Sequence, residues 1–444
     1  MSLRPAAHVL LALIVIFGIT GLWAGDALPP IWRILAGLSV IGLAYEFWRT
    51  RGTTIELGQT DDALLRPSLH PSLHPSLHLG RAETTTLTFY NTSPRAVMIQ
   101  YQPDFVDSLA TAAKVYMLEI GANVHAPLAF DVTASAVGTH VSKHARIRIA
   151  GPLGLAWWNR QLDVDLTFQV IPDTIRRRGQ RYGTVKSEGL SSGAAGSGLE
   201  LHHLREYRPG DPRQSIDWKA SARTGEWVTR VHIRELQLRI VVLIDAGRTS
   251  RLSMGGLDQL GHYINLTARL LEYAALQDDH VGLVVASDKL LHTVSPGSGL
   301  GTVYRIRSIL GTLHTSEAQT DLVAAAMAVR KMVSQRSLVI LLSDLEQGTT
   351  GGPLAGAIRT LIPKHLPVAV GMVAPEVQRM AEEPAQTWLD PWQAAAARNW
   401  RQQLDGSVES LRKMGAIALT ATPDDLEARV FETYRTLRLR RRAG

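Results

Sequence analysis

The chain has 444 residues, a formal net charge of +7 and no cysteine. This length allows two or three domains, each able to bury its own core, and 45% apolar with 20% charged residues excludes widespread disorder. Without cysteine there are no disulfides, no thiolate catalysis and no sulfur-ligated zinc, although this absence does not identify the cellular compartment.

Arginines cluster at residues 176–181 and in the last ten residues. Neither cluster has interleaved aromatics, so we expect no nucleic-acid partner; a solvated helix end or attraction to anionic lipid explains them better.

Two apolar stretches open the chain. Residues 6–24 carry no charge and are long enough to cross a hydrocarbon core of about 30 Å at about 1.5 Å per residue. Residues 31–48 are a second candidate, with Arg33 and Glu46 near the ends, where both charges could reach an interface. The pair predicts a transmembrane helical hairpin, and a secretory signal is the alternative for the first stretch.

The basic residues around this hairpin predict its orientation. Arg4 precedes the first stretch, Arg49 and Arg51 follow the second, and the short connector has no Lys or Arg. The positive-inside rule then places both termini and the soluble domains in the cytoplasm. The sequence therefore predicts an inner-membrane protein whose residues 1–50 lie in the lipid bilayer.

Residues 51–175 are typical of a small β-sandwich-like domain. Short segments such as Thr84–Tyr90 and Val164–Val170 are rich in β-branched and aromatic residues, with turn-forming groups between them. Within this region the tetrapeptide PSLH occurs three times in tandem, at residues 67–78. Its prolines exclude a helical metal site. A mobile loop is favoured, and gathering of a metal by an extended chain is the alternative.

Residues 176–235 are interpreted as a linker followed by a charged segment. Residues 184–198 are rich in Gly and Ser, which is typical of a flexible connector. A G-x-S-x-G match at residues 189–193 lacks the strand and helix that a nucleophile elbow requires, so we treat it as chance.

The charged segment contains REYRPGDPRQSIDWKASAR, which resembles the signature of the domain of unknown function 58 family. The resemblance implies a von Willebrand factor A-like domain and an association with MoxR-type AAA+ ATPases. The residues at matching spacing are Arg205, Glu206, Tyr207, Gly210, Asp211, Arg213, Asp217, Trp218 and Arg223.

Two roles remain open for this signature. Its arginines and carboxylates could pair with one another while Tyr207 and Trp218 pack the turn against a neighbouring domain, which makes the segment an interdomain brace. Alternatively, the aromatic and arginine side chains are anchors for a protein partner. A catalytic centre built from Asp211, Asp217 and Lys219 is disfavoured. The residues assigned to the brace or partner site are Arg205, Glu206, Tyr207, Asp211, Arg213, Asp217, Trp218 and Arg223.

Residues 236–444 alternate between apolar strands and amphipathic helices. Segments such as residues 239–244 and 337–343 are predicted as buried strands, and residues 257–275 and 322–333 as helices. This alternation predicts an α/β domain with a mainly parallel sheet and helices on both faces. Together with the resemblance, it gives the expected fold class: a von Willebrand factor A-like α/β domain, a β-sandwich-like domain and a transmembrane hairpin.

Oxygen-bearing side chains follow three of these predicted elements. Asp245 and Thr249 lie after one strand, Thr320 lies before a helix, and Asp344 closes another strand. The arrangement is similar to a metal-ion-dependent adhesion site, in which oxygen ligands hold Mg²⁺ or another divalent cation. Gly247 stands where that pattern has its first hydroxyl, so the site is degenerate, and the alternative is that both aspartates only brace loops.

The expected function is that of a membrane-anchored protein-interaction module that works with a MoxR-type AAA+ ATPase in protein or complex maturation. It is not expected to be an enzyme, since no nucleophile, general base or substrate pocket is identifiable. Two alternatives remain: a structural membrane protein with a ligand-free site, and a metal-dependent hydrolase that uses Asp245 and Asp344.

Overall fold

The computed structural model describes residues 2–24, 31–59, 76–175, 195–196, 200–209, 211, 213–233, 237–348, 351–384 and 386–443. The chain divides into two units, Met1–Ile171 (unit 1) and Pro172–Gly444 (unit 2). Most of the PSLH repeat, the arginines at 176–181 and the G-x-S-x-G match lie outside the described residues, as does Gly210 of the signature.

Unit 1 begins with two helices, α1 (Pro5–Ala24) and α2 (Ile31–Arg51). Within the described residues, no helix has the length and apolarity needed to cross a bilayer. The predicted hairpin and the predicted two-span location in the inner membrane are therefore wrong.

Glu46 gives a physical reason for the difference in α2. The sequence predicted that its carboxylate reaches a membrane interface, but the residue is completely buried. Its two oxygens accept hydrogen bonds from the backbone N–H groups of Leu153 (3.0 Å), Leu155 (2.9 Å) and Ala156 (3.0 Å). A buried charge is tolerated when several donors solvate it, so α2 is fixed to the protein at this position.

The rest of unit 1 is formed by two sheets that pack face to face. One has the order β1-β10-β9-β5-β7, with β3 parallel to β10, and the other has the order β2-β4-β8-β6. Phe89 on β4 and Tyr101 on β5 are buried, with ring centroids 5.3 Å apart, and this contact joins the sheets. The strands are β1 (Ser2–Leu3), β2 (Ile55–Gln59), β3 (Ser76–His78), β4 (Ala82–Asn91), β5 (Val97–Gln102), β6 (Leu109–Thr111), β7 (Tyr116–Ile120), β8 (His125–Ala134), β9 (Gly138–Ala150) and β10 (Ala156–Ile171).

Unit 2 contains a short antiparallel sheet and a larger mixed sheet. The antiparallel sheet, in the order β11-β13-β12, holds the signature segment, and the pair β15-β16 is also antiparallel. The mixed sheet has the order β18-β17-β14-β19-β20-β21; β18 is antiparallel to β17, and the other neighbours are parallel. The strands are β11 (Ala195–Gly196), β12 (Glu200–Glu206), β13 (Val228–Ile233), β14 (Arg239–Asp245), β15 (Ser253–Met254), β16 (Leu257–Asp258), β17 (His280–Ala286), β18 (Leu290–Gly297), β19 (Leu338–Leu342), β20 (Leu366–Met372) and β21 (Ile417–Ala421).

The helices of unit 2 cover the mixed sheet. On one face, Val241 and Leu243 of β14 share a core with Leu322, Ile358 and Leu411, which lie on three different helices. All six residues after Arg239 on β14 are buried, so this central strand is covered on both faces. The helices are α3 (Trp218–Thr224), α4 (Gln259–Ala275), α5 (Gly299–Leu310), α6 (Leu322–Met332), α7 (Pro353–Leu361), α8 (Pro375–Glu382), α9 (Asp390–Lys413) and α10 (Pro423–Ala443).

The predicted fold class is wrong. The described chain is a mixed α/β protein in which several sheets are antiparallel, and it has no membrane-spanning helix. Apolar runs indicated the buried strands β14 and β19, but the residues of β18 carried no signal of strand direction, and β18 is antiparallel to β17. The class of a von Willebrand factor A-like parallel sheet with a hairpin is therefore replaced by this mixed architecture.

Candidate functional site

Asp245 is the organising residue of the candidate site. It is the last residue of β14, between β17 and β19, and it is completely buried. One carboxylate oxygen accepts hydrogen bonds from the Gly247 N–H (2.9 Å) and the Thr320 hydroxyl, and the other accepts one from the Ser343 hydroxyl (2.7 Å). The Ser250 hydroxyl donates to the Asp245 carbonyl oxygen (2.6 Å). Three separate chain segments are thus held together by one carboxylate.

Above this network lies a polar cavity of about 220 Å³. It contains three of the four predicted metal-site residues, and the fourth, Asp245, contacts it through Thr320. The lining also includes Glu346, which sequence reasoning missed, and one cation, Arg248. The lining residues are Arg248, Thr249, Gln319, Thr320, Asp344 and Glu346.

The carboxylates of this cavity repel one another. Desolvation raises the pKa of Asp344, and the nearby Asp245 raises it further, while the Glu346 N–H opposes the shift through a hydrogen bond of 3.0 Å. Desolvation also raises the pKa of Glu346, with a second contribution from Asp344. Groups that disfavour each other's charge in this way gain most from a bound cation.

The donors in the cavity fit a hard divalent cation. The hydroxyls of Thr249 and Thr320 and the carboxylates of Asp344 and Glu346 are all oxygen groups, as Mg²⁺ and Ca²⁺ prefer. The described residues include no group of three or more His, Cys, Asp or Glu arranged for a metal. Any cation here would therefore depend on hydroxyl ligands as well as on Asp344 and Glu346.

The structure gives a reason for Gly247. A Cβ atom at this position would overlap the Thr320 hydroxyl and lie 2.9 Å from the Ala318 carbonyl oxygen. The Thr320 side chain therefore occupies the space that a hydroxyl residue at position 247 would need. A hydroxyl side chain at position 247 would therefore require Thr320 or the loop at Ala318 to move.

We expect Gly247→Ser to damage the site although it restores a hydroxyl. The added Cβ must displace Thr320 or the loop at Ala318, and such overpacking costs about 1–3 kcal/mol of unfolding free energy. Chemical denaturation of the purified protein measures this cost. Gly406→Ser is the matched control, since a Cβ at position 406 meets no atom within 4 Å. Unchanged stability in Gly247→Ser would show that the loop accommodates the side chain.

The signature segment forms a second ordered cluster. Arg205 and Asp211 form an ion pair at 2.7 Å, and the other Asp211 oxygen accepts a hydrogen bond from the Arg208 N–H at 3.0 Å. The Arg205 side-chain hydrogen bond is the main cause of a lowered pKa at Asp211. The Tyr207 hydroxyl donates to the Asp211 carbonyl oxygen at 3.3 Å, so the turn is fixed by its own residues.

Asp217 begins the helix of the signature. Its carboxylate accepts hydrogen bonds from the N–H groups of Lys219 (3.1 Å) and Ala220 (3.0 Å), which is an N-cap of α3. It also pairs with Arg230 on β13 at 2.9 Å, and this hydrogen bond is the main cause of the lowered pKa of Asp217. The sequence suggested pairing within the signature, but the partner lies outside it.

Trp218 of the signature is not packed as the interdomain-brace interpretation expects. Trp218 was expected to be packed, but it is 64% exposed. Tyr207 packs edge-on against Trp227, with ring centroids 5.5 Å apart, and Trp227 is itself 60% exposed. Glu206, Arg213 and Arg223 are also exposed. Trp227 was not among the predicted site residues, although the sequence signal, an aromatic within a charged run, was present.

Ser343 and Glu346 are the other residues that sequence reasoning did not select. Both lie within two residues of Asp344, so inspection of the whole strand end would have included them. Ser343 also accepts, through its carbonyl oxygen, a hydrogen bond from Tyr263 at 3.2 Å. Burial raises the pKa of that tyrosine, which keeps its hydroxyl a donor.

Comparisons with solved structures give low overall similarity. The hypothetical protein BatB from Bacteroides thetaiotaomicron has 14% identity and a TM-score of 0.30, over 46% of this chain and 98% of that one. The alpha-2-macroglobulins of E. coli and Salmonella each have 15% identity and a TM-score of 0.18, over 28% of this chain and 7% of theirs. No curated protein matches the chain.

The family comparison is more specific. A family model described as "Protein of unknown function DUF58" matches residues 203–398. This range begins just before Arg205 and includes both the signature cluster and the Asp245 cavity. Residues 203–398 are accordingly a domain of the DUF58 family.

Proposed function

We propose that unit 2 is a protein-binding module whose contact with its partner depends on a divalent cation in the Asp245 cavity. The supporting observation is the joining of Asp245, Thr320 and Ser343 by one hydrogen-bond network beneath a cavity with two further carboxylates. Thr249, Thr320, Asp344 and Glu346 would hold the cation, which in turn would accept an oxygen ligand from the partner.

The partner we propose is a MoxR-type AAA+ ATPase, acting with this protein in the maturation of other proteins. The proposal rests on the resemblance of the signature, with the DUF58 match supplying the family. The exposed indoles of Trp218 and Trp227 favour the signature as a second contact for the same partner, since tryptophan and arginine are frequent anchors of protein interfaces.

Binding is better supported than catalysis at this site. A general base or nucleophile needs a lone pair directed at a substrate. The Asp245 oxygens are instead directed at three protein donors, and the residue is completely buried. Asp344 and Glu346 remain accessible from the cavity, where oxygen groups can hold a cation.

Recovery of the ATPase on the immobilised full chain tests this function. We expect recovery in Mg²⁺, loss in EDTA, and loss in Thr249→Val, which removes a hydroxyl that lines the cavity. Thr433→Val is the matched control, because its hydroxyl bonds only within α10. Recovery of the ATPase that is unchanged by EDTA, or no recovery in Mg²⁺, would contradict the proposal.

The affinity for Mg²⁺ should depend on pH through Asp344. The pKa of Asp344 in the folded protein is raised above the ordinary carboxyl value of 3.8. Without a cation, the stability that this group contributes is therefore present below pH 3.8 and is lost as the pH rises from 3.8 through the raised pKa. The cation competes with the proton on the Asp344 carboxyl. Its affinity should therefore increase over the same pH range and become constant above it. Calorimetric titration at several pH values measures this, and Asp344→Asn should remove this contribution. An identical pH profile in wild type and Asp344→Asn would exclude Asp344 as a ligand.

A further inference from the structure

Unit 1 contains a large cavity that is unrelated to the Asp245 site. Its volume is about 820 Å³, and its wall is formed by the end of α2 together with β5, β7, β9 and neighbouring turns. Four arginines line it: Arg4, Arg49, Arg51 and Arg95. Among the described lining residues the one carboxylate is Glu119, so the wall carries a clear excess of positive charge.

The four arginines form no ion pair within the described part of unit 1. The ion pairs seen in its described part, such as Arg146 with Asp104, do not include any of the four. Basic residues at the end of a helix often satisfy its last carbonyl groups. Here Arg160, from β10, donates to the carbonyl oxygens of Thr50 and Arg51, at 2.8 Å each. The side chains of Arg49 and Arg51 are therefore not required for that task.

Two of the four arginines lie against aromatic rings. The guanidinium of Arg4 lies 4.9 Å from the ring centroid of Trp157, and the backbone N–H of Arg4 donates to the Leu155 carbonyl oxygen at 2.9 Å. The guanidinium of Arg49 lies 6.0 Å from the ring of Trp48. Such stacking lowers the entropy that is lost when the groups close on a ligand.

From this geometry we infer that the unit 1 cavity binds a phosphate-bearing anion through Arg4, Arg49, Arg51 and Arg95. Guanidinium groups match phosphate oxygens with paired hydrogen bonds and keep their charge at all physiological pH values. The volume admits a group larger than inorganic phosphate. The phosphate can belong to a soluble compound or to a lipid headgroup, and the recognition chemistry is the same.

Calorimetric titration of the full chain with pyrophosphate, in a buffer that contains EDTA, tests the inference apart from the cation site. We expect binding, and a loss of about tenfold or more in affinity for the double variant Arg51→Gln, Arg95→Gln. Both side chains are exposed, so folding should be retained. The control is Lys143→Gln, Arg146→Gln, which removes the same charge from exposed positions outside the cavity and should change affinity by less than about twofold.

A second arm identifies the source of the phosphate. The same variants are sedimented with vesicles of phosphatidylcholine alone or mixed with phosphatidylglycerol. Binding to the mixed vesicles that depends on Arg51 and Arg95 supports the inference with a lipid headgroup as ligand, whereas pyrophosphate binding alone supports a soluble ligand. If neither pyrophosphate nor the mixed vesicles bind, or if the control variant loses as much affinity as the double variant, the inference is wrong.

Discussion

Replacement of Asp245 with alanine is expected to remove divalent-cation binding and to lower the free energy of unfolding by about 3–5 kcal/mol. The physical reason is that one buried carboxylate accepts hydrogen bonds from Gly247, Thr320 and Ser343. Alanine leaves all three donors without that acceptor, and each buried unsatisfied group costs about 1–3 kcal/mol. Chemical denaturation and calorimetric titration with Mg²⁺ measure the two effects.

Asp245→Asn separates the charge from the architecture. An amide keeps one oxygen for Gly247 and Thr320, and its NH₂ group can donate to Ser343, whose hydroxyl can rotate to accept. We therefore expect most of the stability to be retained while Mg²⁺ affinity falls by about tenfold or more, because the carboxylate charge is gone. Wild-type Mg²⁺ affinity in Asp245→Asn would show that this charge does not support a cation.

The second large effect is expected for Arg269→Ala. Arg269 on α4 forms ion pairs with Asp173, at the start of unit 2, and with Glu427 on α10. It is only 8% exposed, and Asp173 is also buried. Removal of one partner from a buried ionic network typically costs about 3–5 kcal/mol, since the remaining charges lose their compensation. We expect the free energy of unfolding of the full chain, measured by denaturation, to fall by this amount.

A surface ion pair provides the control for Arg269. Arg379 pairs with Glu376 on α8 at 3.5 Å, and both side chains are largely exposed. Arg379→Ala should cost less than about 1 kcal/mol, because solvent screens the pair. If Arg269→Ala were as mild as this control, water or local rearrangement must solvate Asp173 and Glu427, and the network would not fasten α10 to α4.

The two predicted functional clusters differ in how far sequence could define them. In the signature, Asp211 pairs with Arg205 six residues away, and such local contacts follow from turn-forming residues and charge. The pairing of Asp217 with Arg230 depends on how the segment at Ile216 aligns with Thr229 on β13, and the exposure of Trp218 depends on which face α3 presents. The spacing of residues along the chain specifies neither this ion pair nor this exposure.

The sequence by itself determined that apolar strands such as β14 are buried and that Asp245 and Asp344 follow strand ends, because hydrophobic runs and their polar termini are local properties. Only the tertiary structure decided that Ser343 and Thr320 close on Asp245, that the Thr320 side chain fills the space beside Gly247, and that Glu46 is solvated by backbone N–H groups more than a hundred residues away. These contacts join residues distant in the chain, and their energies arise from burial, which a one-dimensional pattern does not specify.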